Sequence, residues 1–348
     1  MNPNTRFLHA LRREPVDATP IWLMRQAGRY MPEYRALRAQ HSMLECIKTP
    51  DLATEITFQP LHAFDVDAAI VFADILTLPE AMGMELEFVS GTGPVFHNPI
   101  RHVNDLDRLR PLDVSSDLHF TLQTIQQVVD GLGGRLPLIG FSGAPFTLAC
   151  YMIEGSGSRH FIHAKTFMTN QSQTWHRFMS CLAAAVADYL VAQIDAGAQA
   201  VQLFDSWAGI LSPSDYSDYV APHTRAVIAQ VKAVHADVPI IHFGTETSTL
   251  LSTIADCGPD GVGVDWRIPI NDAWRVIGYD RAIQGNLDPV TLFAPVPVIE
   301  QQAQRILDAV GKRPGHIFNL GHGVLPETPP DHVAALIDFV HRYTAQST

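Results

Sequence analysis

The chain has 348 residues, 47% of them hydrophobic and 17% charged, with a formal net charge of −12. That is enough apolar material for a large core, while the acidic balance excludes most nucleic-acid-binding readings, which need a basic face. No apolar run is long enough for a bilayer span and no charged-then-apolar leader opens the chain, so a cytoplasmic protein with no membrane and no nucleic-acid partner is expected.

Charge is unevenly placed. The first 40 residues hold seven arginines against three carboxylates, a balance of +4, so the remainder carries −16 to reach −12. A cationic segment inside an anionic chain implies an anionic ligand held at one place. The four cysteines, Cys46, Cys150, Cys181 and Cys257, lie far apart without a C-x-x-C pair and read as reduced, mostly buried thiols.

In chain order, short runs rich in Val, Ile, Leu and Phe occur at Pro20–Arg25, Ala68–Ala73, Leu136–Phe141, Ala200–Phe204, Pro239–Phe243, Gly261–Asp265, Arg281–Gly285 and His316–Leu320. Most do not alternate with polar residues, as expected of parallel strands covered on both faces. Helical patterns fall between them, at Phe120–Leu132, Phe178–Ala196, Pro222–Val234, Val298–Val310 and Pro330–Tyr343. The first interval is longer than one βα unit needs and predicts extra helices around Met31–Gln40 and Asp51–Phe64. Met84–Val89 and Pro94–Asn98, joined through Gly91-Thr92-Gly93, predict a hairpin at the barrel mouth. Strands alternating with helices in this way specify a single-domain (β/α)₈ TIM barrel over residues 1–348, of class α/β. A doubly wound open sheet would carry a Gly-rich nucleotide turn after its first strand, and there is none.

The C-terminal strand ends of such a barrel form its functional mouth. Here they carry Arg25, Asp74, Ser142, Asp205 with Ser206, His242, Asp265, Asn286 and His322. Arg25 and Arg29 are two guanidinium forks suited to carboxylates or phosphates. Asp74 reads either as a cap for the next segment or as a buried carboxylate that gathers N–H donors or stabilises a cation. Gly140-Phe141-Ser142-Gly143-Ala144 narrowly misses the nucleophile-elbow pattern, which points to a flexible turn and away from serine hydrolysis. Tyr151 reads as a core tyrosine when taken alone, and Glu154-Gly155-Ser156-Gly157-Ser158 as a loop able to close over a ligand. His322 lies between Gly321 and Gly323, so backbone and ring can approach a ligand closely. His160 and His163 lack a carboxylate or cysteine at zincin-like spacing, and no phosphate-cradling loop is present, so neither a metal nor a nucleotide is expected.

Two longer segments carry a family resemblance. Pro20-Ile-Trp-Leu-Met-Arg-Gln-Ala-Gly-Arg-Tyr-Met-Pro-Glu-Tyr34 resembles the N-terminal signature of the uroporphyrinogen decarboxylases, and Gly140 through Gly155 resembles their second signature. Phe72–Leu76, Gln202–Ser206, Gly285–Pro289 and Asn319–Gly323 are similar to further family stretches, in the same order along nearly the whole chain. The resemblance implies a cofactor-free barrel enzyme, usually a homodimer, that turns the four acetates of uroporphyrinogen III into methyl groups and gives coproporphyrinogen III. It implies substrate contacts from Arg25, Gln26, Ala27, Gly28, Arg29, Asp74, Tyr151, Ser206 and His322. Asp74 would sit against the pyrrole N–H groups, and Arg25 would be a candidate proton donor.

Elementary chemistry agrees. Protonating a pyrrole carbon creates the electron sink that loss of CO₂ requires, and a carboxylate near the ring nitrogens stabilises the resulting cation. Arginine is a poor acid, so Arg25 suits carboxylate binding better than proton delivery. Two rivals are a zinc-dependent corrinoid methyltransferase of the same superfamily and a non-catalytic porphyrin carrier. The first expects cysteine ligands at strand ends, where this chain has none; the second has no use for Asp74 beside both arginines.

Overall fold

The computed structural model describes residues 5–345. Seven parallel strands form one curled sheet in the order β1 (Ala69–Ile70), β4 (Leu138–Gly143), β5 (Ala200–Asp205), β6 (Ile240–Gly244), β7 (Gly261–Gly263), β8 (Ala282–Gln284) and β9 (His316–Ile317). The intervening β2 (Leu86–Val89) and β3 (Gly93–Phe96) pair antiparallel as the expected hairpin, with Val89 opposite Gly93. Its outgoing strand is pinned to the helix Pro145–Glu154 region, where Phe96 donates to the Gly155 carbonyl at 2.7 Å. The expected early helices are present as Pro32–Arg38 and Pro50–Ala63.

The first predicted strand, Pro20–Arg25, differs from expectation. It forms a single bridge, Ile21 to Phe318, and no ladder. Even so it closes the ring: Phe318 donates to Pro20 and Asp67 donates to Ile21, each at 2.8 Å. Side chains replace the missing ladder, since the Ile21 N–H goes to Asp67 Oδ2 (2.6 Å) and the Met24 N–H to Asn319 Oδ1 (3.1 Å). The segment is therefore free to turn sharply straight after Met24.

Inside the barrel, Trp22, Ile139, Ala200, Ile241, Phe243, Ala282 and Ile317 pack with Phe7 and Leu11 of the helix Arg6–Leu11, which plugs the N-terminal end. Burying each such side chain stabilises the fold by roughly 1.5–3 kcal/mol. One polar thread crosses this core: Trp22 Nε1 donates to Gln284, and Gln284 to Gln202 Oε1, both at 3.0 Å, and Gln202 Nε2 at its end is buried without a partner. The longest helix, Ser172–Asp195, buries Leu182, Val186, Tyr189 and Leu190 against the sheet. Its Gln193 makes paired bonds to Phe141 N–H and C=O (2.8 and 2.9 Å), as a neighbouring strand would. A Cβ at Gly140 would lie 2.6 Å from Gln193 Oε1, so glycine is required there. Among the described residues this is the one helix long and apolar enough to cross a bilayer, and most of it is buried within the fold.

Candidate active site

The mouth is organised by the turn after Met24. Asn319 Oδ1 accepts both Met24 N–H and Leu320 N–H, and Val324 donates to the Met24 carbonyl at 2.9 Å. Gln26 is buried and holds the turn from within. Its Oε1 takes the Leu23 N–H and its Nε2 reaches the Ala68 carbonyl, both at 3.2 Å. So clamped, Arg25 adopts φ +60, the left-handed region that costs a side-chain-bearing residue about 1–2 kcal/mol. Its side chain crosses the backbone of Gly323, where a Cβ would lie 2.3 Å from Arg25 Cδ. Arg25 is exposed and makes no ion pair among the described residues.

Asp74 follows β1 on a short turn. One carboxylate oxygen accepts the Leu76 N–H (2.9 Å) in a local turn. The helix Thr77–Ala81 that follows has Leu76 at its N-cap, so Asp74 is not its cap, and the other oxygen is left for a ligand. Burial pushes its pKa up to about 6, against the pull of the Leu76 N–H and the Arg25 charge. Tyr151 is pushed up to about 12 by burial and then by the Asp74 charge, so it stays a phenol. His322 falls to about 4, through burial first and then through Arg25 and Arg267. Its Nδ1 accepts the Gly323 N–H at 2.7 Å, which places the ring proton on Nε2. His322 is thus a neutral donor.

These mutual effects define a group: Arg25, Asp74, Tyr151 and His322 share one site. Aromatic rings wall it. Tyr151 lies 5.7 Å from Trp207, and Trp207 lies 5.1 Å from Phe161. Ser206 is half-buried beside Trp207, and its carbonyl accepts from Thr245 Oγ1 at 2.6 Å. Behind it Asp205 is fully buried, takes a bond from Thr147 Oγ1 (2.9 Å) and lies 3.4 Å from His242.

Other strand-end polar residues serve the framework. Ser142 is buried and bonds to the Gly143 carbonyl. Asn286 donates to the carbonyls of Asp265 and Ile268, both at 2.8 Å. Ala27 and Gly28 are half-buried within the turn, and a Cβ at Gly28 would crowd the Arg25 carbonyl at 3.0 Å. Arg29 is exposed beside a recess that it lines with Tyr34, Arg35 and Arg38. No group of three or more His, Cys, Asp or Glu side chains suited to a metal occurs among the described residues. Sequence reasoning missed Trp207, Phe161 and Arg267; the one available signal was the Trp266-Arg267 pair directly after the strand-end acid Asp265.

A family model described as uroporphyrinogen decarboxylase (URO-D) matches residues 2–343. The uroporphyrinogen decarboxylase of Chloroflexus aurantiacus is 55% identical over 345 residues, which cover 99% of this chain and 97% of that protein. That of Carboxydothermus hydrogenoformans is 49% identical over 344 residues, covering 99% and 98%. Among solved structures, a methyltransferase from Methanosarcina mazei superposes with a TM-score of 0.79 at 20% identity, covering 99% of each chain, a likeness of fold alone. The match in sequence along the full length, on a barrel whose mouth gathers an arginine and a carboxylate, places this chain in the uroporphyrinogen decarboxylase family.

Proposed function

We propose that residues 1–348 form one catalytic unit that removes the four acetate carboxyls of uroporphyrinogen III as CO₂, leaving methyl groups and coproporphyrinogen III. The observation that carries this reading is Asp74, a carboxylate with one open oxygen, beside the unpaired Arg25 in an aromatic-walled mouth.

With a pKa of about 6, Asp74 is mostly ionised at neutral pH and can accept the pyrrole N–H groups of a macrocycle set over it. Protonation of a pyrrole carbon makes the ring cationic. The carboxyl then leaves as CO₂ and its bonding electrons neutralise the ring as an exocyclic methylene. A second proton makes the methyl group, and loss of the proton first added to the ring carbon restores the neutral pyrrole. Asp74 interacts more strongly with that cation than with the neutral ground state, which is the condition for catalysis. No cofactor enters this scheme. Arg25 holds a substrate carboxylate, and its guanidinium is too weak an acid to be the first choice of proton donor. Tyr151 O–H and His322 Nε2–H are neutral donors to further carboxylates, with Ser206 beside them. Arg29 takes a carboxylate at the rim. Gln26, Ala27 and Gly28 act through the shape of the turn that presents Arg25. A cytoplasmic homodimer belongs to the same reading.

The test is anaerobic incubation of chelator-treated protein with uroporphyrinogen III, followed by mass. Stepwise loss of CO₂ is expected, with Asp74→Asn slower by about 10³-fold. A folded wild type that binds the substrate without losing CO₂ would leave only the carrier.

A further inference from the structure

Arg267 lies just past β7, outside both signature segments, and three neighbours fix its guanidinium. Nη1 meets Asp265 Oδ2 at 2.6 Å, Nη2 meets Glu246 Oε1 at 3.0 Å, and the plane sits 4.3 Å above the centre of the Trp266 ring. The two carboxylates are unlike. Asp265 is 3% exposed and also takes the backbone N–H groups of Glu246 (2.7 Å) and Arg267 (3.1 Å), so it is built into the loops. The Glu246 side chain is 57% exposed and that of Arg267 42%. Exposed ion pairs of this kind contribute little to stability, because water competes for both partners. Glu246 is held in place by its backbone, at φ +58 and bonded to Asp265, so its carboxylate can swing away while the loop stays put.

The position is at the mouth. A Cβ at Gly321 would lie 2.6 Å from the Trp266 nitrogen, so the loop carrying His322 packs directly on Trp266, the residue before Arg267. The Arg267 charge also reaches His322, alongside that of Arg25.

We propose that Arg267 is a further substrate-carboxylate site, anchored by Asp265 and opened when an incoming carboxylate displaces Glu246 from Nη2. The proposal rests on the decarboxylase reading for its substrate, a porphyrinogen bearing several carboxylates. Glu246 acts as a placeholder: it keeps the guanidinium oriented while the site is empty and yields it to ligand, so the fork is preorganised at small loss of affinity.

The experiment compares wild type, Arg267→Gln, Glu246→Gln and the double variant. It reads kcat and KM with uroporphyrinogen III, and separately the affinity for the unreactive octacarboxylate uroporphyrin by fluorescence. Arg267→Gln should raise KM and weaken uroporphyrin about tenfold, as for loss of one charge-assisted hydrogen bond, with kcat within about twofold. Glu246→Gln should shift both affinities the opposite way, and the double variant should match Arg267→Gln alone. Unchanged affinity in Arg267→Gln overturns the proposal. So does weakening by both single variants, which would mean a purely structural ion pair. Weaker uroporphyrin binding in Arg267→Gln without turnover by wild type would support this site and overturn the decarboxylase reading, so the two fail separately.

Discussion

Arg6 and Arg25 come from the same basic N-terminal segment and have opposite fates. At the closed end of the barrel Arg6 is nearly buried, with Asp17 at 2.7 Å and Asp67 at 2.6 Å, and these carboxylates hold its pKa above the usual arginine value. Asp67 in turn takes the Ile21 N–H and His341 Nε2, so one ion cluster ties the first helix, the bridging segment and the last helix together. At the open end Arg25 has a left-handed backbone, an exposed guanidinium and no ion pair among the described residues. Nearby, Asp74 carries a carboxylate whose ionisation burial opposes. The closed end satisfies its charges internally, whereas the open end leaves them for a ligand.

That contrast predicts opposite signs for charge removal. Arg6→Ala should destabilise by about 3–5 kcal/mol, because it strands a buried carboxylate, while molecules that remain folded keep their kcat. Chemical denaturation beside active-site-normalised turnover checks this; a loss under about 1 kcal/mol would mean the closed end is not held by its ion cluster. Asp74→Asn should do the reverse and stabilise by about 1–3 kcal/mol above pH 7 while slowing turnover by about 10³-fold.

The sign follows from linkage. Asp74 has a folded pKa of about 6 against the ordinary carboxylate value of 3.8, so the folded state binds its proton more tightly. Its destabilising effect is absent below about pH 4, grows as pH rises through 6 and is complete above. The gain in Tm of Asp74→Asn should therefore fade as pH is lowered toward 4. A gain independent of pH would point to packing and not to charge. The smallest effect is on the rate profile of the wild type. The acid limb of kcat/KM should fall near pH 6 as Asp74 is protonated, while His322, at about 4, stays neutral over that range. An acid limb set by another group would lie elsewhere and survive the substitution.

Strand-end residues show how far the sequence can be read. Apolar runs stopping at polar residues gave the strands of the parallel sheet, since strands buried on both faces read as near-continuous apolar runs. The same pattern could not separate ligand-facing residues from framework ones. Asp74 and His322 open into the site, whereas Ser142, Asp205, Asp265 and Asn286 are buried on protein partners. One residue of register turns a side chain from the mouth to the helix layer, and local sequence does not fix register to that precision. Gln26 illustrates the point: it lies inside the signature beside Arg25, yet its side chain faces inward to Leu23 and Ala68.

The sequence by itself determined the α/β class, the order of strands and helices, the family and the identity of the charged residues, because periodicity and composition are local properties. Only the tertiary structure decided which charges are paired. It reduced the first strand to a bridge held by Asp67 and Asn319, brought residues 25, 74, 151 and 322 into one field, and set Arg267 among them. Closing the ring juxtaposes loops far apart in the chain, and the protonation and reach of each group depend on neighbours that no local window contains.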